Sequence, residues 1–161
     1  MKTEVQKEHQ WLQKLVGEWT CEAECIMAPG EPPAKMLGSE SVGSLGGLWI
    51  VGQGQSEMPG GAGSATSILT LGYDPRKQRF VGTWIGSMMP HLWVYDGELD
   101  ANAGVLTLDT EGPDMADEGT MAKFKDVIEF KGDDHRVLSS YKLSDDGTWH
   151  QFVTVNYLRK Q

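Results

Sequence analysis

His91 is the residue of this chain best placed to do chemistry. It falls in the stretch GTWIGSMMPHLWVYDGELD (residues 82–100), which gathers Trp84, Trp93, Tyr95, Met88 and Met89 around three glycines, Gly82, Gly86 and Gly97. An imidazole with an ordinary pKa near 6.5 can accept a proton, return it, or ligate a haem at neutral pH. As an acid or base His91 would need Tyr95 or Asp96 to assist it. Glu22 and Glu24 would lie about 6.6 Å apart on one strand, a separation that suits paired carboxylates. They fall on the polar side of their alternation, however, and read as solvated. Cys21 and Cys25 would be about 13 Å apart on one strand, too far for a disulfide or a shared metal. They read as reduced, inward-facing thiols. The segment EGPDMADEG (111–119) clusters Glu111, Asp114, Asp117 and Glu118 without the spacing of a calcium loop, and reads as a solvated acidic loop. GQGQSEMPGGAG (52–63) is glycine-rich, but strand-like residues follow it, so it is a hairpin loop and not a phosphate cradle. No Ser-His-Asp arrangement or nucleophile elbow is visible. His9, His135 and His150 read as surface residues. No metal site and no cofactor are expected, haem included, because nothing besides His91 marks a haem site.

The elements that must position these residues follow from hydrophobic period. Over residues 4–16, Val5, Leu12, Leu15 and Val16 fall near one face, which predicts a helix with Thr3 as its N-cap and Gly17 as its stop. From Gly17 the period changes to two. Trp19, Cys21, Ala23, Cys25 and Met27 alternate with polar neighbours, the signature of a half-buried strand. Strand-like runs recur near 35–42, 48–57, 65–73, 79–88, 91–99, 104–110, 121–130, 135–143 and 148–158. Turn chemistry separates most of them, as in Asp74-Pro75-Arg76-Lys77 and Ser144-Asp145-Asp146-Gly147. The expectation is an all-β fold, an antiparallel barrel of about nine or ten strands whose closure removes the exposed edges. The whole chain, 1–161, reads as one domain, with 1–16 a helix and 17–161 the barrel. Four tryptophans stand two places after a glycine (Trp19, Trp49, Trp84, Trp149), which predicts a sharp backbone followed by a ring aimed inward.

Placing the turn of the 82–100 ribbon at Met89-Pro90 sets Met88 opposite His91, Gly86 opposite Trp93, Trp84 opposite Tyr95 and Gly82 opposite Gly97, all on one side. If that side faces inward, Trp84, Gly86, Trp93 and Tyr95 line the interior, with Met88 and His91 at its mouth. Two interiors satisfy this pattern. One is a hollow with apolar walls and a few polar groups, the usual make-up of a small-ligand site. The other is an interior filled by its own side chains.

Lys and Arg number 14 against 23 Asp and Glu, a formal charge of −9. Nucleic acid and anionic membrane surfaces both require a basic face and are excluded as partners on this ground. No apolar run approaches the roughly 20 residues that span a bilayer. The start of the chain, MKTEVQKEHQWLQKL, is charged throughout and lacks a signal core, so a cytoplasmic location is expected.

A short helix, Gly-x-Trp (17–19) opening the first strand and a last strand ending Tyr157-Leu158-Arg159-Lys160 resemble the lipocalin and wider calycin architecture. The resemblance implies that Trp19 packs across the barrel end beneath Arg159. A closer resemblance covers nearly the whole chain and rests on GEWT (17–20), LGGLWIVGQG (45–54), LGYDPRKQRFVGTWIGSM (71–88), GELD (97–100), LTL (106–108) and DDGTWHQFVTVNYLRK (145–160). On these stretches the chain is similar to the bacterial family known as domain of unknown function 1579. That family implies a calycin-like barrel and supplies no catalytic residue to carry over.

Binding of a small apolar or aromatic molecule in the barrel is therefore the first expectation. An enzyme using His91 in the same cavity is the second. A cavity-free barrel serving protein interaction or homo-oligomer formation is the third. An apolar hollow favours the first, a histidine and a carboxylate in contact inside a cleft the second, and a filled interior with a large apolar outer patch the third.

Overall fold

The computed structural model describes residues 3–26, 28, 30–117 and 119–161. Met27 and Glu118, singled out above, lie outside the described residues. Ten strands form a closed antiparallel barrel: β1 (Gly17–Cys25), β2 (Ala34–Leu45), β3 (Trp49–Glu57), β4 (Ser64–Asp74), β5 (Arg79–Gly86), β6 (Met89–Asp100), β7 (Val105–Pro113), β8 (Met121–Gly132), β9 (His135–Leu143) and β10 (Trp149–Arg159). Each strand pairs with the next, and β10 returns to β1 with Trp19 opposite Arg159. The expected all-β barrel with a short N-terminal helix is the observed fold.

The helix is shorter than its apolar spacing predicts. α1 spans Lys7–Leu12, followed by a single 3-10 turn at Gln13–Leu15. The N-cap is Gln6 and not Thr3, and Val5 stays half exposed, so the first turn of the expected stripe has nothing to pack on. His9 takes that place. It is 3% exposed, not a surface residue. Its Nδ1 accepts the Gln6 N–H at 2.9 Å, and its Nε2–H donates to the Tyr73 carbonyl at 3.0 Å. Both ring nitrogens are thus used to dock the helix, as burial of a polar ring demands. His9 lies three residues before Leu12 and seven before Val16, and that spacing was the signal for its inward face.

The helix seals one end. Trp11, Leu12 and Leu15 join Trp19, Ile50, Leu71, Phe80, Leu106, Leu108 and Ile128 in one apolar core. Trp19 is fully buried. Its indole N–H donates to the Leu15 carbonyl at 2.9 Å. The Arg159 guanidinium lies 4.2 Å from the ring centroid and donates to the carbonyls of Val16 at 2.7 Å and Lys14 at 3.0 Å. Gly17 makes this clasp possible: its φ is 143°, and a Cβ there would overlap the Arg159 guanidinium.

Only two of the four Gly-x-Trp rings point inward, Trp19 and Trp84. Trp49 is 40% exposed and folds its ring over Gly72 on the outer wall. Trp149 lies under the Lys125 ammonium at 4.4 Å, outside the barrel, because Lys125 alternates with inward Phe124 and Asp126. Strand parity, not the glycine, decides where each ring goes. The 52–63 segment also departs from the expected loop. Gly52 and Gly54 sit within β3, facing inward against Glu40 and Ser67, and the loop is confined to 58–63, with a 3-10 turn at Pro59–Gly61.

Candidate functional site

The 82–100 ribbon has a different register from the expected one. Trp84 opposes Trp93, Gly82 opposes Tyr95, Phe80 opposes Gly97, and Gly86 opposes Met89 across a bulge. The tip is therefore Ser87-Met88. Met89 pairs with Gly86, so the next position, which has no N–H, turns to the side where β6 lacks a neighbour; a proline is tolerated there. The slip is an even number of residues, so the same face points inward. Gly82, Trp84, Gly86, His91, Trp93 and Tyr95 all share it.

The wall is incomplete beside this ribbon. The β6–β7 ladder runs only from Asp96–Asp109 to Asp100–Val105. Beyond it, the first half of β6 and the end of β7 are not paired with each other. Side chains close the seam. The Trp93 ring lies on Gly112, where no Cβ could fit. It meets Phe124 edge-on at 5.2 Å and His91 edge-on at 4.7 Å. The His91 Nε2–H donates to the Glu111 carbonyl at 3.1 Å, bridging the seam where backbone pairing stops. Replacing Gly112 with alanine should displace the Trp93 ring and lower stability by about 1–3 kcal/mol, measured by urea unfolding; an unchanged midpoint would contradict the packing. Along the outer lips of the seam runs an open groove of about 650 Å³ whose lining includes Leu92, Val94, Thr110 and Trp149.

Inside, the barrel is layered. At the end opposite the helix, Ala23, Cys25, Met36, Ser56 and Ser67 face inward from β1–β4, while Trp84, Trp93 and Phe124 face them from β5, β6 and β8. Most of these inward-facing residues are only half-buried, whereas the most deeply buried side chains, Trp19, Ile50, Leu71, Phe80 and Leu106, gather toward the helix end, with Tyr73, Leu99 and Phe130 partly buried against them. Below the rings comes a polar layer. The Tyr95 hydroxyl donates to Asp126 Oδ2 at 2.5 Å, and the Ser140 hydroxyl donates to Oδ1 at 2.6 Å. Burial pushes the Asp126 carboxyl above its ordinary range, against the lowering effect of these two hydrogen bonds. Burial, then the Asp126 charge, raises the Tyr95 phenol well above its ordinary value. Deeper still, Arg136 and Glu40 form a buried ion pair. The Arg136 guanidinium stacks 3.8 Å from the Tyr157 ring centroid and 4.7 Å from that of Trp19. Burial raises the thiols of Cys21 and Cys25, and neither is in a disulfide.

The expected cavity residues are brought together, but the space is shared differently. Gly86 accommodates the far edge of the Trp84 ring and the Met88 sulfur. Met88 itself is at the exposed hairpin tip. Asp96 is on the outside, paired with Arg79 at 2.7 Å, so it cannot assist His91. Of the acidic segment, Asp114 pairs with Lys142 at 2.7 Å and caps the Ala116 N–H at 2.9 Å. Sequence reasoning missed the buried polar groups Glu40, Asp126, Arg136 and Ser140. Their signal was parity: Asp126 interrupts the inward face between Phe124 and Ile128, and Glu40 stands between Gly38 and Val42.

A pH test follows for Asp126. With its folded pKa raised above the unfolded value near 3.9, the folded state holds the proton more tightly. Its ionisation therefore removes stability as pH rises from about 4 through the folded pKa. The stability of Asp126→Asn relative to wild type should accordingly improve as pH increases across that window. A difference that stays flat with pH would contradict the burial.

Among solved structures, the chain is similar to Rv2717c from M. tuberculosis, with 14% identity and a TM-score of 0.64 over 98% of this chain and 100% of that one. It is similar to the S-type phycobiliprotein lyase CPES from Guillardia theta, with 14% identity and a TM-score of 0.54 over 94% of this chain and 92% of that one. EF1p2_mFAP2b bound to DFHBI aligns at 12% identity and a TM-score of 0.51 over 96% of this chain and 100% of that one. These likenesses establish the barrel fold. No curated protein matches the chain. The profile of the family described as "Protein of unknown function (DUF1579)" matches residues 4–159, and the chain belongs to that family.

Proposed function

We propose that the half of the barrel away from the helix is a cup that binds a small apolar or aromatic molecule. Trp84, Gly86, Trp93 and Tyr95 form its wall, and Met88 and His91 its rim. The observation that carries this reading is that Ala23, Cys25, Met36, Ser56, Ser67, Trp84 and Trp93 all point inward at the end the helix does not cover, yet are only half-buried. A side chain that points inward yet meets solvent lines a space the protein does not fill. The CPES lyase and the barrel bound to DFHBI share the architecture, which supports small-molecule binding at a general level. His91 serves here as the seam's bridge, since its Nε2 is committed to a backbone carbonyl. Covering aromatic surface at roughly 25 cal/mol per Å², less the entropy of association, gives micromolar affinity, about 8 kcal/mol.

Titration of a panel of small apolar and aromatic compounds, followed by tryptophan emission, tests the cup. Binding should shift or quench the emission. Gly86→Leu should force the Trp84 ring and Met88 into the cup and weaken binding about tenfold or more, with the fold retained. No response across the panel would end this reading.

A second reading is favoured by the outer wall. Ile68, Ile85, Leu92 and Val94 are exposed on adjacent strands β4, β5 and β6, beside the unpaired part of β6. Such an apolar face suits contact with a second copy of the chain. Sedimentation should then show a dimer that Val94→Lys disrupts; a monomer at high concentration would exclude it.

A further inference from the structure

Among the described residues, two carboxylates lie in the barrel interior, and they are treated differently. Glu40 has a counter-ion, Arg136, seated against it. Asp126 has no ion-pair partner. Its oxygens accept one hydrogen bond each, from Tyr95 and Ser140, and each keeps a lone pair free. Two hydroxyls orient the group without neutralising it. A desolvated carboxylate with no cation is costly to keep, and burial raises its pKa accordingly. One inward position nearer the mouth stand the rings of Trp93 on β6 and Phe124 on β8, and, opposite Phe124 on β9, Lys142, whose charge is already held by Asp114. Aromatic faces attract cations and repel anions. The chain's charge of −9 also draws cations toward it.

We infer that the cup selects a cationic aromatic molecule, whose ammonium, amidinium or protonated ring nitrogen donates to Asp126 between Tyr95 and Ser140 while its ring system lies against Trp84 and Trp93. This rests on the cup proposed above and adds the charge of its ligand. Tyr95 and Ser140 act as positioning residues that hold the carboxylate's free lone pairs toward the cup.

The test uses three probes on one skeleton, titrated calorimetrically into the full chain at neutral pH: 1-naphthylmethylammonium, 1-naphthylmethanol and 1-naphthoate. The ammonium should bind roughly tenfold or more tightly than the alcohol, and the naphthoate more weakly than the alcohol. Asp126→Asn should bring the ammonium to the alcohol's affinity. Equal binding of all three by the wild type, or a preference for naphthoate, overturns the charge assignment and leaves the cup standing. A preference for the ammonium that high salt abolishes marks attraction to the acidic surface and also overturns it. No binding by any of the three overturns the cup itself. The wild-type ranking decides the question even if Asp126→Asn fails to fold.

Discussion

Replacing Arg136 with methionine should destabilise the protein by about 3–5 kcal/mol, because it strips a buried carboxylate of its counter-ion. Arg136 is 2% exposed and Glu40 8%, so neither charge can turn to solvent when its partner is lost. The guanidinium also sits between the faces of Trp19 and Tyr157, and methionine would keep only part of that contact. Glu40→Met should cost a similar amount by leaving the arginine unpaired. The double substitution should recover most of the loss, since removing both charges removes the desolvation cost as well. Chemical denaturation of the four proteins measures this coupling directly. Additive losses in the double variant would show that packing, and not charge, dominates at this site.

Trp19→Ala should cost on the order of 3–5 kcal/mol through the cavity it leaves. It also removes the platform beneath Arg159 and Arg136 and the hydrogen bond that ties Leu15 to the barrel. At roughly 2–4 °C per kcal/mol for a chain of this size, the melting temperature should fall by about 10 °C. Trp19→Phe should recover part of the loss, since it keeps a ring but not the indole donor. A change of less than about 1 kcal/mol for the alanine variant would mean that the helix end does not depend on this ring.

Nearly all of the strand layout was legible in the sequence, because period-two alternation and turn chemistry are local signals. The runs expected at 79–88 and 121–130 correspond to Arg79–Gly86 and Met121–Gly132. The clasp of Trp19 by Arg159 was available only through the family resemblance; nothing in the spacing of residues 19 and 159 brings them together. The hairpin register was not legible, since a bulge near Ile85 shifts the pairing by two residues without changing the face. The seam was also hidden. Strand propensity continues through Leu92–Val94 and Thr110–Gly112, and only the tertiary placement of Trp93 on Gly112 shows that the ladder has stopped. The buried charges were missed for a different reason. Glu40 and Arg136 are 96 residues apart in sequence, and each alone looks like an exposed charge on a strand. Their inward parity was readable; their partnership was not. His9 was misread in the same way, as a polar residue assumed to be exposed.

The most direct test of the ligand cup is native mass spectrometry of the protein purified from its own host. The account predicts one non-covalently held small molecule per chain, released on unfolding and absent from Gly86→Leu purified alongside. A bare chain mass for the wild-type protein, under conditions gentle enough to keep added 1-naphthylmethanol bound to it, would contradict it.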